Sequence, residues 1–192
     1  MYAEYQLEQN KLEQEKTNQK NISSIKNLNL AYHPMYLGDS NSAKVIYEFV
    51  DYNCGYCQKF HQELINVMKD NSLKLVIIQM PILGNFSEEL TKLALASSLQ
   101  GQFKVVHNYL YSTERKSKME DILADLFLRG VDLDILKNDL DSQEVSDFLS
   151  IHRDYADEFK FTGTPATIIG NQIIPGFIDA DKITEILEKE FS

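Results

Sequence analysis

Apolar residues are thin and irregular over residues 1–29 and then fall into repeating patterns. That first stretch is dominated by Gln, Glu, Lys and Asn, with Tyr2, Tyr5, Leu7, Leu12, Ile22, Ile25 and Leu28 scattered among them. The step of five from Leu7 to Leu12 breaks a heptad, and Ile22-Ile25-Leu28 is too short a run to establish a coiled coil. Two readings of the arm stay open: a solvated extension, partly helical or disordered, and an oligomerisation stalk. Around Pro34 and Gly38-Asp39-Ser40 the helix signal stops, and a loop is expected to lead into the first strong strand. That strand is Val45-Ile46-Tyr47-Glu48-Phe49-Val50, rich in β-branched and aromatic residues. Beyond it Phe60, Leu64, Val67 and Met68 stand at helical spacing.

Asn71-Ser72 punctuate the chain, and Leu73 to Met80 is a second β-rich run, stopped by Pro81 and closed by Gly84-Asn85. Strand, helix and strand in so short a span form a βαβ unit, with the two strands parallel in one sheet. From about residue 86 to 160 the pattern turns helical. Leu90, Leu93, Ala94 and Phe103 mark one helical region and Val105 to Tyr111 a shorter one. Ile122, Leu123, Leu126 and Phe127 mark a third, ending near Gly130, and Val145, Phe148, Leu149, His152, Tyr155 and Phe159 a fourth. The β pattern returns with Ala166-Thr167-Ile168-Ile169, a Gly170-Asn171 hairpin signal, and Gln172-Ile173-Ile174 before Pro175-Gly176. Asp179 or Asp181 can cap a final helix whose stripe is Ile183, Ile186, Leu187 and Phe191. The expected division is an arm over 1–37, a βαβ-and-ββα domain over 38–84 and 160–192, and a helical insertion over 85–159.

Composition changes this picture little. With 192 residues, 43% of them hydrophobic and 25% charged, the chain suits one domain, or one domain carrying an insertion, and the element pattern makes it α/β with a helical insertion. A net charge of −10 argues against a nucleic-acid surface and supplies no polybasic membrane patch. No apolar run approaches membrane-spanning length. Nor does the start read as a signal peptide, so the expectation is either a cytosolic protein or a chain that begins after a cleaved leader.

Candidate chemistry gathers at Asp51-Tyr52-Asn53-Cys54-Gly55-Tyr56-Cys57, which holds both cysteines at a strand-to-helix junction. A thiol at a helix N-terminus meets unpaired N–H groups and the positive end of the dipole, which favour the reactive thiolate. A second thiol one turn on can close a disulfide, so the pair reads first as a redox device. Three other readings compete. A structural zinc site needs four ligands; the histidines are His33, His61, His107 and His152, and only His61 is near the pair. Haem attachment needs His directly after the second cysteine, where Gln58 stands. A purely structural disulfide would close a loop too short to gain much chain entropy.

Cys-x-x-Cys after a strand, Thr164-Pro165 before a late hairpin, and a terminal helix together resemble the thioredoxin fold. With its helical block between the βαβ and ββα halves, the chain is similar to the DsbA-like thiol-disulfide oxidoreductases, closest in look to the ScsC-like branch. The resemblance implies Cys54 as exposed nucleophile, Cys57 as buried resolving thiol, and a cis Thr164–Pro165 bond beside them. Gly55, Tyr56, Thr164 and Pro165 are then the residues that meet substrate. Glu48, six before Cys54, matches an acidic residue beneath the site in these relatives and is expected to relay the proton of Cys57. A plain alternation reading instead puts Glu48 on the solvent side of its strand, and His61 is expected at the surface.

The same resemblance implies protein substrates bearing thiols or disulfides, a membrane redox partner, no cofactor or metal, and a periplasmic site of action. On the stalk reading of residues 1–29, the arm would in addition assemble a homo-oligomer. Gly-Tyr between the cysteines lacks the His of the strongest oxidants, which points to a less oxidising pair. The Gly-Tyr dipeptide, Thr164 and the arm favour a disulfide isomerase or reductase of misfolded extracytoplasmic proteins, and that is the function expected first. The broken heptad and the insertion favour a dithiol oxidase. A third reading, from another class, is a Cu(I)-handling module using Cys54 and Cys57 as soft ligands.

Overall fold

The computed structural model describes residues 2–27, 34–70 and 72–192, and of Tyr2, Ala3 and Asp70 only the backbone. Leu28, His33 and Asn71, named above, lie outside the described residues. The elements run α1 (Tyr2–Lys26), β1 (Tyr36–Gly38), β2 (Val45–Val50), α2 (Gly55–Asp70) and β3 (Lys74–Gln79). Five helices follow: α3 (Asn85–Leu99), α4 (Phe103–Leu110), α5 (Met119–Leu128), α6 (Leu133–Asp139) and α7 (Gln143–Glu158). The chain ends with β4 (Ala166–Ile169), β5 (Gln172–Pro175) and α8 (Ala180–Phe191). The five strands form one sheet in the order β1-β3-β2-β4-β5. β2 and β3 are parallel, as the βαβ pattern requires, and the other pairs are antiparallel. This is a thioredoxin-like α/β fold with a helical insertion.

Leu75-Val76-Ile77-Ile78 contains no polar alternate, so both faces of the sheet need cover. On one face Ile46, Val50, Leu75 and Ile77 meet Cys57, Phe60 and Leu64 of α2 and Ile183 and Leu187 of α8. On the other, Tyr47, Phe49, Val76 and Ile78 meet Ala156 of α7 together with Ile22 and Ile25. The arm is therefore not wholly solvated. Its first turns carry exposed Tyr5, Leu7 and Leu12, while its last turns dock on the sheet, with Asn21 Nδ2 donating to the Glu158 carbonyl.

Three local expectations are corrected. Tyr36–Gly38, read as loop, is a short edge strand on β3. It ends at Gly38 (φ 82°), where any Cβ would stand 2.2 Å from the Leu73 carbonyl oxygen. Phe103 opens α4 instead of closing the preceding helix, because Gly101 (φ 72°) breaks the chain between them. α6 was not anticipated; Asp132 caps it, its carboxylate accepting from the N–H groups of Asp134 and Ile135. At α8 the cap is Asp179, which accepts from Lys182 N–H.

Candidate active site

The loop from β2 to α2 is fixed by Asp51. Its buried carboxylate accepts from Asn53 N–H at 2.8 Å and, across the loop after β3, from Ile82 N–H at 2.8 Å and Leu83 N–H at 3.0 Å. Its carbonyl accepts from Cys54 N–H at 3.0 Å. Cys54 thus stands just before the first turn of α2, and its carbonyl takes the Gln58 N–H at 3.2 Å. One free N–H of that turn, from Cys57, donates to Cys54 Sγ at 3.4 Å. Sequence reading passed over Asp51, since nothing in its neighbours announces three backbone donors.

Both thiols are free. Cys54 is half-buried, and its Sγ donates to the Thr164 carbonyl at 3.4 Å. Cys57 is 0% exposed, and burial pushes its thiol well above the ordinary range, against smaller lowering contributions from hydrogen bonds to Asp51 and Thr164. The Thr164–Pro165 bond is cis, and the Pro165 carbonyl accepts from Gly176 N–H at 2.8 Å. The structure therefore brings Cys54, Cys57, Thr164 and Pro165 together, and Gly55 lies between the thiols with its face open.

Around them lie exposed apolar side chains. Tyr56 is 65% exposed with Lys59 Nζ 5.6 Å above its ring. Ile82 and Leu83 are held there by Asp51, and Phe177 follows the glycine bonded to Pro165 and packs on Phe60.

Glu48 does not face solvent. It is 0% exposed on the Ile46/Val50 face of β2, the face that also packs Cys57. Its Oε2 lies 3.4 Å from His61 Nδ1, and its Oε1 has no partner among the described residues. Across the ladder it pairs with Thr167, whose hydroxyl is also unpartnered among them. His61 is correspondingly not a surface residue: it is 6% exposed, stacked on Tyr111 at 4.9 Å and edge-on to His107 at 4.7 Å. The reason is spacing. Position 61 is four after Cys57, on the same face of α2.

A buried network continues behind it. Gln79 Nε2 donates to the Tyr52 hydroxyl at 3.1 Å, and Tyr52 lies 2.7 Å from His107 Nδ1. Burial, with His61 nearby, holds His107 well below the usual imidazole range, so Tyr52 donates to a neutral ring.

Sequence reading also missed Arg115. Its Nη1 donates to the Tyr52 carbonyl at 3.1 Å and its Nη2 to Asn53 Oδ1 at 3.4 Å. It walls a cavity of about 320 Å³ that opens onto Cys54. Among the described residues no three His, Cys, Asp or Glu side chains are grouped to hold a metal ion. No described helix is long and apolar enough to cross a membrane.

Residues 31–189 match the family model described as "Thioredoxin". The chain is 24% identical over 169 residues to a probable disulfide bond formation protein D of Bacillus cereus, covering 80% of this chain and 77% of that one. The thiol-disulfide exchange protein alpha-DsbA2 of Wolbachia pipientis superposes with a TM-score of 0.81 at 24% identity, over 92% of this chain and 97% of its own. The catalytic domain of Proteus mirabilis ScsC gives 0.74 at 23%, over 89% and 97%. At these identities the two structures speak to fold; the family match covers most of the chain. With a Cys54–Cys57 pair at the N-terminus of α2 and a cis-proline beside it, the chain belongs to the thioredoxin family, as a thiol-disulfide oxidoreductase.

Proposed function

We propose that this protein introduces disulfides into other proteins outside the cytoplasm, on the periplasmic side, with Cys54 as the exchanging sulfur. The observation that carries this reading is the asymmetry of the pair: Cys54 half-exposed between Cys57 N–H and the Thr164 carbonyl, Cys57 wholly buried. A substrate thiolate attacks Cys54 Sγ of the oxidised pair; the Cys54–Cys57 bond breaks, and Cys57 leaves with the electron pair and takes a proton from Glu48. A second substrate thiolate then attacks the mixed disulfide and releases Cys54, so the substrate loses two electrons and the pair gains them. Thr164, Pro165, Gly55 and Tyr56 line the path of the substrate strand. A membrane redox protein re-oxidises the pair. That the Bacillus relative is named for disulfide bond formation favours this direction.

A second reading, disulfide isomerase or reductase, is favoured by α1, whose first turns present Tyr5, Leu7 and Leu12 to solvent as a stalk for assembly would. Two assays separate them: oxidation of a reduced two-cysteine peptide, and reactivation of a scrambled multi-disulfide protein. Cys54→Ala is the blank, and a chain lacking residues 1–18, which keeps Asn21, Ile22 and Ile25 docked, is run alongside. Fast peptide oxidation without reactivation supports the oxidase. Reactivation that is lost on trimming supports an isomerase assembled by α1 and overturns the first reading.

A further inference from the structure

The cavity beside Cys54 has a charge of its own. Its floor is the start of α2, with Asn53, Cys54 and Gln58, and its wall is the connection from α4 to α5, with Ser112, Thr113 and Arg115. Among the described residues Arg115 is the single charged one in that lining, in a chain of net charge −10. Its carboxylate neighbour in sequence, Glu114, is drawn away to Arg129 at 2.9 Å. The bonds to the Tyr52 carbonyl and Asn53 Oδ1 clamp the guanidinium to the loop that carries Cys54, using two of its five N–H donors. A guanidinium so held is pre-organised for a carboxylate, which it recognises bidentately.

We propose that this cavity is a subsite for a carboxylate carried by the thiol or disulfide that reacts at Cys54, with Arg115 as the residue that selects it. This rests on the reading of Cys54 as the exchanging sulfur. The reactant's sulfur meets Cys54 at the cavity mouth, its carboxylate pairs with Arg115, and its amide groups meet Gln58, Ser112 and Thr113. Two sources share this chemistry: a free cysteine-containing thiol of low molecular weight, and an acid-flanked cysteine of a protein.

The test compares disulfides that differ in charge. Reduced protein is mixed with glutathione disulfide, which bears carboxylates, or with bis(2-hydroxyethyl) disulfide, which bears none. In each case the Cys54 thiolate attacks one sulfur, the reagent's S–S bond breaks, and one thiolate leaves. Cys57 then attacks Cys54 Sγ and releases the second. Any change that Arg115→Gln makes to Cys54 itself cancels in the ratio of the two rates. That ratio is expected to fall about tenfold, the scale of one charged hydrogen-bonded contact, with Arg115→Lys intermediate. In the unmodified protein, added salt should slow the glutathione disulfide reaction and leave the neutral one nearly flat. Paired peptides with Glu or Gln beside the reacting cysteine distinguish the sources. A ratio drop confined to glutathione disulfide assigns the subsite to small thiols, and one shared by the peptides assigns it to acid-flanked cysteines. A ratio unmoved by Arg115→Gln, together with salt effects that match for both reagents, overturns the subsite. Rates that survive Cys54→Ala would overturn the Cys54 reading beneath it.

Discussion

His107 predicts a loss of stability in mild acid that can be isolated from every other titration. The ring is buried against His61, Phe103, Tyr111 and the hydroxyl of Tyr52, two residues before Cys54. Burial, with His61 beside it, keeps the folded ring neutral well below its usual range, while the unfolded chain takes the proton near pH 6.5. Below that value the unfolded state binds the extra proton, so stability falls as pH falls. It is fully present above the unfolded pKa. Integrating one such group between pH 7 and pH 5 gives a loss of about 2 kcal/mol, or roughly 4–8 °C in Tm for a chain of this length. His107→Asn keeps an acceptor for Tyr52 and cannot charge. It pays a fixed packing penalty, but its advantage relative to the wild type should grow by that same amount over the two units. Thermal melts of the oxidised proteins at pH 7, 6 and 5 measure the difference, and carboxylates common to both chains cancel. Parallel curves would mean that the folded ring protonates like a free one, and that the Tyr52 contact does not hold it neutral.

Glu48→Gln should separate the two halves of exchange. With an excess of an aromatic disulfide, the first coloured thiolate is released by Cys54 and the second by Cys57; the second release should slow by about 10²-fold, the low end of positioned proton transfer, while the first stays near the wild-type rate. Equal slowing of both would remove Glu48 from the Cys57 step. On the back of the sheet, Ile25→Ala should lower stability by about 2–5 kcal/mol in urea melts, since that side chain is wholly buried. Leu12→Ala, on the exposed turns, should stay within about 0.5 kcal/mol and show no dependence on protein concentration unless α1 assembles the chain.

Much of the fold is legible because its central pieces carry their own periodicity. β2, β3 and the β4–β5 hairpin read directly from β-branched runs and the Gly170-Asn171 turn, and α8 from its stripe and Asp179. β1 was invisible because three residues hold no period, and its partners on β3 come 36–40 positions later, at Lys74–Val76. The docking of Ile22 and Ile25 was invisible for a different reason: two buried residues on a helix of polar ones make too weak a stripe, and the face they cover belongs to other elements. Arg115 left no local trace at all. Its value lies in a carbonyl and an amide 62–63 positions away, brought beside it by folding.

Glu48 shows where pattern reasoning reaches its limit and what lies past it. Alternation offers a solvent side only to a strand with one covered face, and β2 lies between β3 and β4 with helices on both faces. Neither side of Ile46-Tyr47-Glu48-Phe49-Val50 leads to water, so the alternation that allowed an exposed Glu48 was never available to it. A carboxyl buried with one oxygen unpartnered among the described residues lowers stability, and an apolar residue of similar size would pack there without that penalty. The same face places it with Cys57, a thiol that burial alone would keep protonated, and with His61, the one described side chain bonded to it. On the mechanism proposed above, what the position costs the fold is offset at Cys57: a group that exchanges a proton with that thiol inside a wall that water does not reach.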